Sequence, residues 1–389
     1  MAGLGAAPHL KGDTMKTLIA TAAFGLESVV KQEVINLGYK DIKTFDGKVE
    51  FTPESIFKAI PHANLWLRSA DRVLLKFGEF TSTTFDDLFE QTKALPWADL
   101  IPEDGKFTVT GKSVRSTLFS VPDVQGIVKK AVVEKMKQKY KINWFKETGA
   151  EFTIQASILK DVVTLTVDTT GVGNGLHKRG YRAVATRAPM KETMAAALIQ
   201  LARFNGFKRG EALPFLDPCC GSGTLPIEAA MVAKNIAPGL AKNFVSEKWE
   251  QVLSWKEERQ KAYAAMKVDN EPLIYAADID PNAVELAKSN AELAGVDDCI
   301  IFENRAVHET ILPSDFGVAI VNPPYGERLG QVKEAEALYA ALGRIFNPTS
   351  WNVYVITPDE FFETAYKKRA RSKRKLFNGM IKTDYYQYY

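Results

Sequence analysis

The sequence is poor in cysteine and histidine, and neither is arranged for chemistry of its own. Three cysteines in 389 residues, Cys219, Cys220 and Cys299, are an odd number with two adjacent. No disulfide framework is indicated, and a reducing, cytoplasmic setting is expected. The four histidines, His9, His62, His177 and His308, lie far apart, which argues against a zinc site, so no metal is expected. No apolar run approaches the roughly 20 residues that span a bilayer, and no membrane partner is expected. The short stretch LIATAAFGL soon meets Glu27 without a cleavage site, which disfavours a signal peptide. MAGLGAAPHLKGDT precedes a second methionine, Met15, and residues 1–15 read as an expression leader. Low-complexity tracts and fixed-period repeats are also missing. At 46% hydrophobic and 25% charged, the remainder is a globular chain with room for two or three domains.

Net charge is small, at +3, but its parts are not. Basic against acidic residues number 11 to 15 over 1–105, 16 to 6 over 106–191 and 15 to 25 over 192–366. KKRARSKRK at 367–375 holds seven bases and no acid. Concentrated positive charge on an otherwise acidic chain is the footprint of a polyanion partner, because each neutralised phosphate releases condensed counterions. The alternative is a solvated helix face: VKKAVVEKMKQKYK at 128–141 places Val128, Val132, Val133 and Met136 at helical spacing with lysines opposite.

Residues 16–100 alternate short strands (KTLIATA, GKVEFT) with an amphipathic helix, GLESVVKQEVINLG. Residues 106–168 repeat that pattern, so two small α+β units are predicted. The glycine-rich, then cationic segment TTGVGNGLHKRGYRAVATRAP at 169–189 reads as a linker. From 191 the rhythm changes to helices alternating with short buried strands, which predicts a parallel, doubly wound sheet with ligands at the carboxyl edge of its strands. Asn378-Gly379 between two strand-like runs predicts a terminal hairpin whose last strand is antiparallel to its neighbour.

Three segments of this half carry chemistry. FLDPCCGSGTLPIEAA at 215–230 ends a strand at Asp217, turns through Pro218, Gly221 and Gly223 and opens a helix at Thr224. Glycines let a ligand approach the backbone, and the helix start offers free amides. A P-loop requires Lys-Ser/Thr after the second glycine, where Leu225-Pro226 stand, and a dinucleotide turn requires glycine where Pro226 stands. An adenosyl ligand without phosphates, S-adenosylmethionine, fits better, its cationic methionine portion facing the acid; a purely structural turn is the alternative. In YAADIDPNAVELAKSNAELAG at 275–295, Asp278 is the candidate for the ribose hydroxyls, with Ile279 beside it, and Asp280 is expected to cap the helix beginning at Pro281. The roughly 40 residues between these segments exceed a normal crossover and, with Trp249 and Trp255, read as a helical insertion. Cys219 and Cys220 could suggest attack on a pyrimidine carbon, but their place in the turn favours small buried side chains.

The third segment, VNPPYGERLG at 321–330, breaks abruptly from an apolar strand. An exocyclic base amine is a poor nucleophile because its lone pair is delocalised into the ring. The Asn322 side-chain oxygen and the Pro323 carbonyl can accept its two N–H hydrogens and favour a pyramidal nitrogen in the transition state. Pro323 and Pro324 restrict the loop, and Tyr325 can stack on the base. A loop that merely ends a strand is the alternative. Glu327 and Arg328 read as an ion pair or, for Arg328, as a phosphate contact.

DPCCGSGT, ADIDPNAVELAKSNAELAG and NPPYGERLG, in this order after LHKRGYR and APMKETMAAALI, closely resemble the THUMP-domain RNA methyltransferases, in particular the group similar to the large-subunit ribosomal RNA guanine-N2 methyltransferases. The resemblance runs from Lys16 onward. It implies a ferredoxin-like segment at 16–75, a THUMP RNA-binding domain at 76–170, a linker at 171–190 and a class I methyltransferase domain at 191–389. It further implies RNA, ribosomal in origin, as partner, with Lys112, Arg115, Lys178, Arg179 and Arg182 as candidate contacts in the basic block. The implied donor is S-adenosylmethionine, held by Asp217, Pro218, Cys220, Gly221, Gly223, Thr224, Asp278 and Ile279. Methyltransferases of this class commonly carry an Asp after the third strand to hold the adenine amine; here ENRAVHE stands there, and Asn304 or a backbone group is expected to substitute. The competing expectations are N6-adenine methylation of RNA or DNA, which uses the same loop, and a non-catalytic RNA-binding protein.

Overall fold

The apolar alternation of the first half is spent on one continuous sheet. In the computed structural model, which describes residues 16–182, 190–324, 329–379 and 381–389, this sheet contains seven strands. They are β1 (Thr17–Ala22), β2 (Lys40–Phe45), β3 (Lys48–Thr52), β4 (Ala70–Thr81), β5 (Lys106–Val114), β6 (Glu151–Leu159) and β7 (Val162–Asp168), in the order β2-β3-β1-β4-β7-β6-β5. Period-two burial along β6, with Phe152, Ile154, Ala156 and Ile158 inward, shows why it has one wet face and one dry face. β4 pairs with β1 on one edge and β7 on the other, so the expected division between residues 75 and 76 falls inside a strand that both segments share. The basic helix Val121–Tyr140 buries Val128, Val132 and Met136, with Val133 half-buried. The leader at 1–15 and residues 183–189 of the linker lie outside the described residues.

A short hairpin, β8 (Phe207–Lys208) and β9 (Glu211–Ala212), leads into the second sheet. Its strands are β10 (Phe215–Asp217), β11 (Ile274–Asp278), β12 (Ile300–Asn304), β13 (Val318–Val321), β14 (Asn352–Thr357), β15 (Ser372–Asn378) and β16 (Ile381–Tyr388). The order is β12-β11-β10-β13-β14-β16-β15; the first five are parallel, and β16 runs antiparallel to both β14 and β15. This is the doubly wound sheet with an antiparallel last strand that the sequence predicts. The strand order reverses between β10 and β13, which opens a crevice at their carboxyl ends. At the terminal hairpin Asn378 pairs with Ile381, and Gly379 takes a φ of +65°.

The insertion after β10 contains a 3-10 turn, Val245–Lys248, and the helix Trp255–Ala264. Its tryptophans pack into the core of the other sheet. Trp249 stacks on Phe152 with centroids 4.9 Å apart and donates its indole N–H to the Glu151 carbonyl at 3.0 Å, while Trp255 stacks on Phe244 in the same cluster. In return, Leu26 and Val29 of the N-terminal half join the core of the second sheet. Polar bonds follow the same seam. Glu33, whose carboxyl burial pushes above the usual range, accepts from the Ser69 hydroxyl at 2.8 Å, from the Ser69 amide at 3.0 Å, and from Gln200 across the junction.

Arg179 corrects one expectation. Proposed from sequence as an RNA contact, it is 2% exposed and pairs with Glu228, which is fully buried, at 3.2 Å. Its other N–H groups donate to the carbonyls of Leu176, at 2.8 Å, and Arg68. A guanidinium withdrawn from water and bonded on every side is a structural joint.

Trp249→Ala is expected to destabilise the protein by about 3–5 kcal/mol, the usual loss for a large aromatic in a well-packed core. Urea denaturation checks this, and a loss under 1 kcal/mol would show that the insertion does not join the two cores.

Candidate functional site

Three strand ends meet at the crevice. β10 ends at Asp217, β11 at Asp278, and β13 runs into Asn322-Pro323-Pro324. Between β10 and the helix Thr224–Ala233 the chain bends back: the Cys220 amide donates to Ala277 O at 2.9 Å and the Gly223 amide to Cys220 O at 2.8 Å. The Gly221 amide donates to the Asp278 carboxylate at 2.9 Å, and the other Asp278 oxygen accepts from the Asp280 amide at 3.0 Å. Asp280 then caps the helix Pro281–Ala294 by accepting from the Asn282 amide at 2.9 Å, as expected.

The two glycines of the bend do different things. Gly221 has a φ of +51°, and a β-carbon there would touch nothing within 4 Å, so its bareness faces the open cavity. Gly223 has a φ of +82°, and a β-carbon there would lie 2.9 Å from that of Ala287. It lets two helices approach and does not line the cavity, which corrects its reading as a ligand contact.

The cavity occupies about 1420 Å³. Asp217, Pro218, Cys220, Gly221 and Thr224 line one side, Asp278 and Ile279 another, and Asn322, Pro323 and Pro324 a third. Asp217 is 1% exposed; one carboxylate oxygen accepts from the Cys219 amide at 3.1 Å, and the other is buried without a partner. Burial, with a contribution from nearby Asp278, pushes its carboxyl up to about 8. A cation placed in the cavity would satisfy that oxygen and restore its charge. Burial likewise pushes both the Cys219 and Cys220 thiols far up, which keeps them protonated and leaves no thiolate for attack.

Other sequence-based assignments change. Asn304 does not line the cavity: its side-chain amide donates to the carbonyls of Asp278 and Ile279, both at 3.0 Å, and so braces the turn that carries the ribose candidate. The loop Ala306–His308, just beyond it, does line the cavity, and the only sequence signal for it was its position after the third strand. Arg182 donates to Thr224 Oγ1 at 2.6 Å and Met190 O at 3.2 Å and pairs with Glu192 at 3.4 Å, so it steadies the donor-side helix instead of reaching RNA. Lys112, Arg115 and Lys178 are exposed. Met190, Lys191, Asn378 and Gly379 also border the cavity, a role that reading Asn378-Gly379 as a turn alone did not reveal. Tyr325, Glu327 and Arg328 lie outside the described residues. Among the described residues no His, Cys, Asp or Glu group is placed to hold a metal ion, and no helix is long and apolar enough to cross a membrane.

Residues 179–387 match the RMKL-like methyltransferase domain, 82–168 the THUMP domain, and 17–74 the RlmL ferredoxin-like domain. The chain belongs to the RMKL-like methyltransferase family. It is 51% identical over 378 residues to YpsC of Bacillus subtilis (strain 168), which is named as an RNA methyltransferase, with 96% of each chain covered. It is 34% identical to the ribosomal RNA large subunit methyltransferase K/L of Psychromonas ingrahamii, covering 94% of this chain and 49% of that one, so it spans about half that relative's length. Among solved structures, SMU.472, described as a methyltransferase complexed with SAH, superposes with a TM-score of 0.90 at 40% identity, covering 97% of this chain and 99% of that one. A Listeria monocytogenes protein described as an N6-adenine-specific DNA methylase gives a TM-score of 0.90 at 49% identity, with 96% of each chain covered.

The family is one of methyltransferases, and the donor is S-adenosylmethionine. When bound it supplies an electrophilic sulfonium methyl and carries an ammonium group. The unpartnered Asp217 oxygen and the bare bend at Gly221 suit such a group.

Because the folded-state carboxyl of Asp217 lies above its unfolded value, its contribution to stability is fully present below about pH 4 and lost as pH rises through about 8. Donor-free wild type should therefore lose melting temperature relative to Asp217→Asn over that interval; parallel curves would remove the buried acid from the account.

Proposed function

We propose that the protein transfers the methyl group of S-adenosylmethionine to an exocyclic amine of a base in RNA, guanine N2 of large-subunit ribosomal RNA being the target. The observation that carries this reading is that Asn322, Pro323 and Pro324 border the same cavity as Asp217 and Gly221. An acceptor amine held at the first group faces a donor held at the second.

In this reading the Asn322 side-chain oxygen and the Pro323 carbonyl accept the two N–H hydrogens of the amine, which localises its lone pair as the bond to carbon forms. The amine proton passes to solvent after transfer. Rigid acceptors need little reorganisation, and no covalent nucleophile on the chain is required. Tyr325 is assigned by its sequence position to the face of the base. Asp217 holds the donor's cation and Asp278 its ribose.

RNA as substrate is supported by the THUMP match, by exposed Lys112, Arg115 and Lys178, and by the names of the relatives. The ribosomal target draws on relatives of which this chain spans about half. Aromatic stacking and amine acceptors suit adenine N6 as well, the product named for the Listeria relative.

Labelled donor should transfer its methyl group to transcribed large-subunit ribosomal RNA, and nucleoside mass spectrometry should identify N2-methylguanosine. Label found only in duplex DNA would overturn the RNA reading, and N6-methyladenosine would replace guanine with adenine. Asn322→Ala should lower kcat about 100- to 1000-fold, the scale for losing one oriented polar group, with donor affinity retained.

A further inference from the structure

Beside the donor cavity lies a second one of about 290 Å³, and Lys191, Asn378 and Gly379 line both. Its wall joins the two halves of the protein. Phe24 follows β1 of the first sheet, and Phe377 lies on β15 of the second. Their rings meet edge to face, with centroids 5.7 Å apart. Yet Phe24 is 58% exposed and Phe377 36%. Single exposed apolar residues are ordinary on a protein surface, but this pair is braced from behind.

Gly25 has a φ of +88°, and a β-carbon there would lie 2.7 Å from the Lys375 carbonyl oxygen, so the Phe24 loop meets β15 backbone to backbone. Arg374 clamps the contact by donating to Gly25 O at 3.0 Å and to Ser28 Oγ at 2.6 Å. Glu27 accepts from the amides of Gly25 at 2.9 Å and Gly47 at 3.0 Å. A loop held in this way loses little freedom when its ring engages a ligand.

One cation and one acid line this second cavity, and further bases lie along β15. Lys191, half exposed, stands on the rim shared by the two cavities, with its ammonium 3.7 Å from Asp71. The β15 strand carries the end of the acid-free basic run, including exposed Lys375. Partly exposed aromatic rings beside an ammonium group suit unpaired nucleotides, whose bases stack on rings while their phosphates meet the charge. An enzyme that acts on a base amine must draw that base out of its stack, which leaves the neighbouring base without a partner.

We propose that Phe24 and Phe377 form a stacking platform for the nucleotide flanking the target base, with Lys191 contacting the phosphate between the two. This rests on the RNA reading above and deepens it: the N-terminal half not only binds RNA but supplies one wall of the acceptor site.

The test compares KM for in vitro transcribed large-subunit ribosomal RNA, affinity for S-adenosylmethionine and melting temperature in wild type, F24A, F377A and the double variant. F24Y and F377Y keep the rings; F24L and F377L keep the bulk without them. Each ring loss should raise KM for RNA about tenfold, in Leu and Ala variants alike, with Tyr variants near wild type and donor affinity unchanged. A double Leu variant with wild-type KM, while wild type methylates the RNA, overturns the platform and leaves the RNA reading intact. Wild type that transfers no label to any RNA overturns that reading, and the platform with it.

Discussion

A single buried ion pair sets how the two halves of this enzyme face each other. The guanidinium of Arg179 reaches from the linker to Glu228 on the helix that begins at the donor bend, while also bonding the carbonyls of Leu176 and Arg68. Tyr181 adds a second partner to Glu228, its hydroxyl donating at 3.2 Å. Removing two charges from water is expensive, and such a pair persists only where its remaining hydrogen bonds are satisfied. Its geometry therefore tolerates little displacement, and the first sheet, the linker and the donor-side helix take up one arrangement. Arg68 feels the same confinement: burial pulls its guanidinium down to about 10.

From that constraint the site follows. The helix anchored at Glu228 starts where the chain has just bent through Gly221 and Gly223, so fixing the helix fixes the bend. Asp278 is tied to the bend by the Gly221 amide, and Asn304 ties the turn after Asp278 to the neighbouring strand. On the donor side the cavity rim is therefore a set of strand ends and turns tied together by hydrogen bonds. Among the described residues that line it, the buried oxygen of Asp217 without a partner is where an incoming cation has most to gain.

The chain also divides its charge by task. The acidic stretch 192–366 carries the strand ends that line the donor cavity, and the basic block at 106–191 presents Lys112, Arg115 and Lys178 outward. Trp249 from one side and Leu26 from the other cross into the opposite core, and that exchange reinforces the Arg179–Glu228 joint between the halves.

What the sequence determined by itself is what short-range physics encodes. Helical and strand periodicities in the second half, the Asp280 cap, the Asn378-Gly379 hairpin and the glycine bend after Asp217 all depend on neighbours a few residues away, and each is where it was expected. The grouping of Asp217, Asp278 and Asn322 was legible too, because a parallel sheet gathers its strand ends at one edge. Tertiary structure decided the rest. Arg179 and Glu228 are 49 residues apart, and Trp249 and Glu151 are 98 apart, so no local pattern distinguishes a buried joint from a surface cation or an idle insertion from a keystone. Asn304 and Gly223 had the right residue types for ligand contacts, but a carbonyl pair and a facing helix claimed them first. Composition records which groups a chain owns; only packing decides which of them remain available.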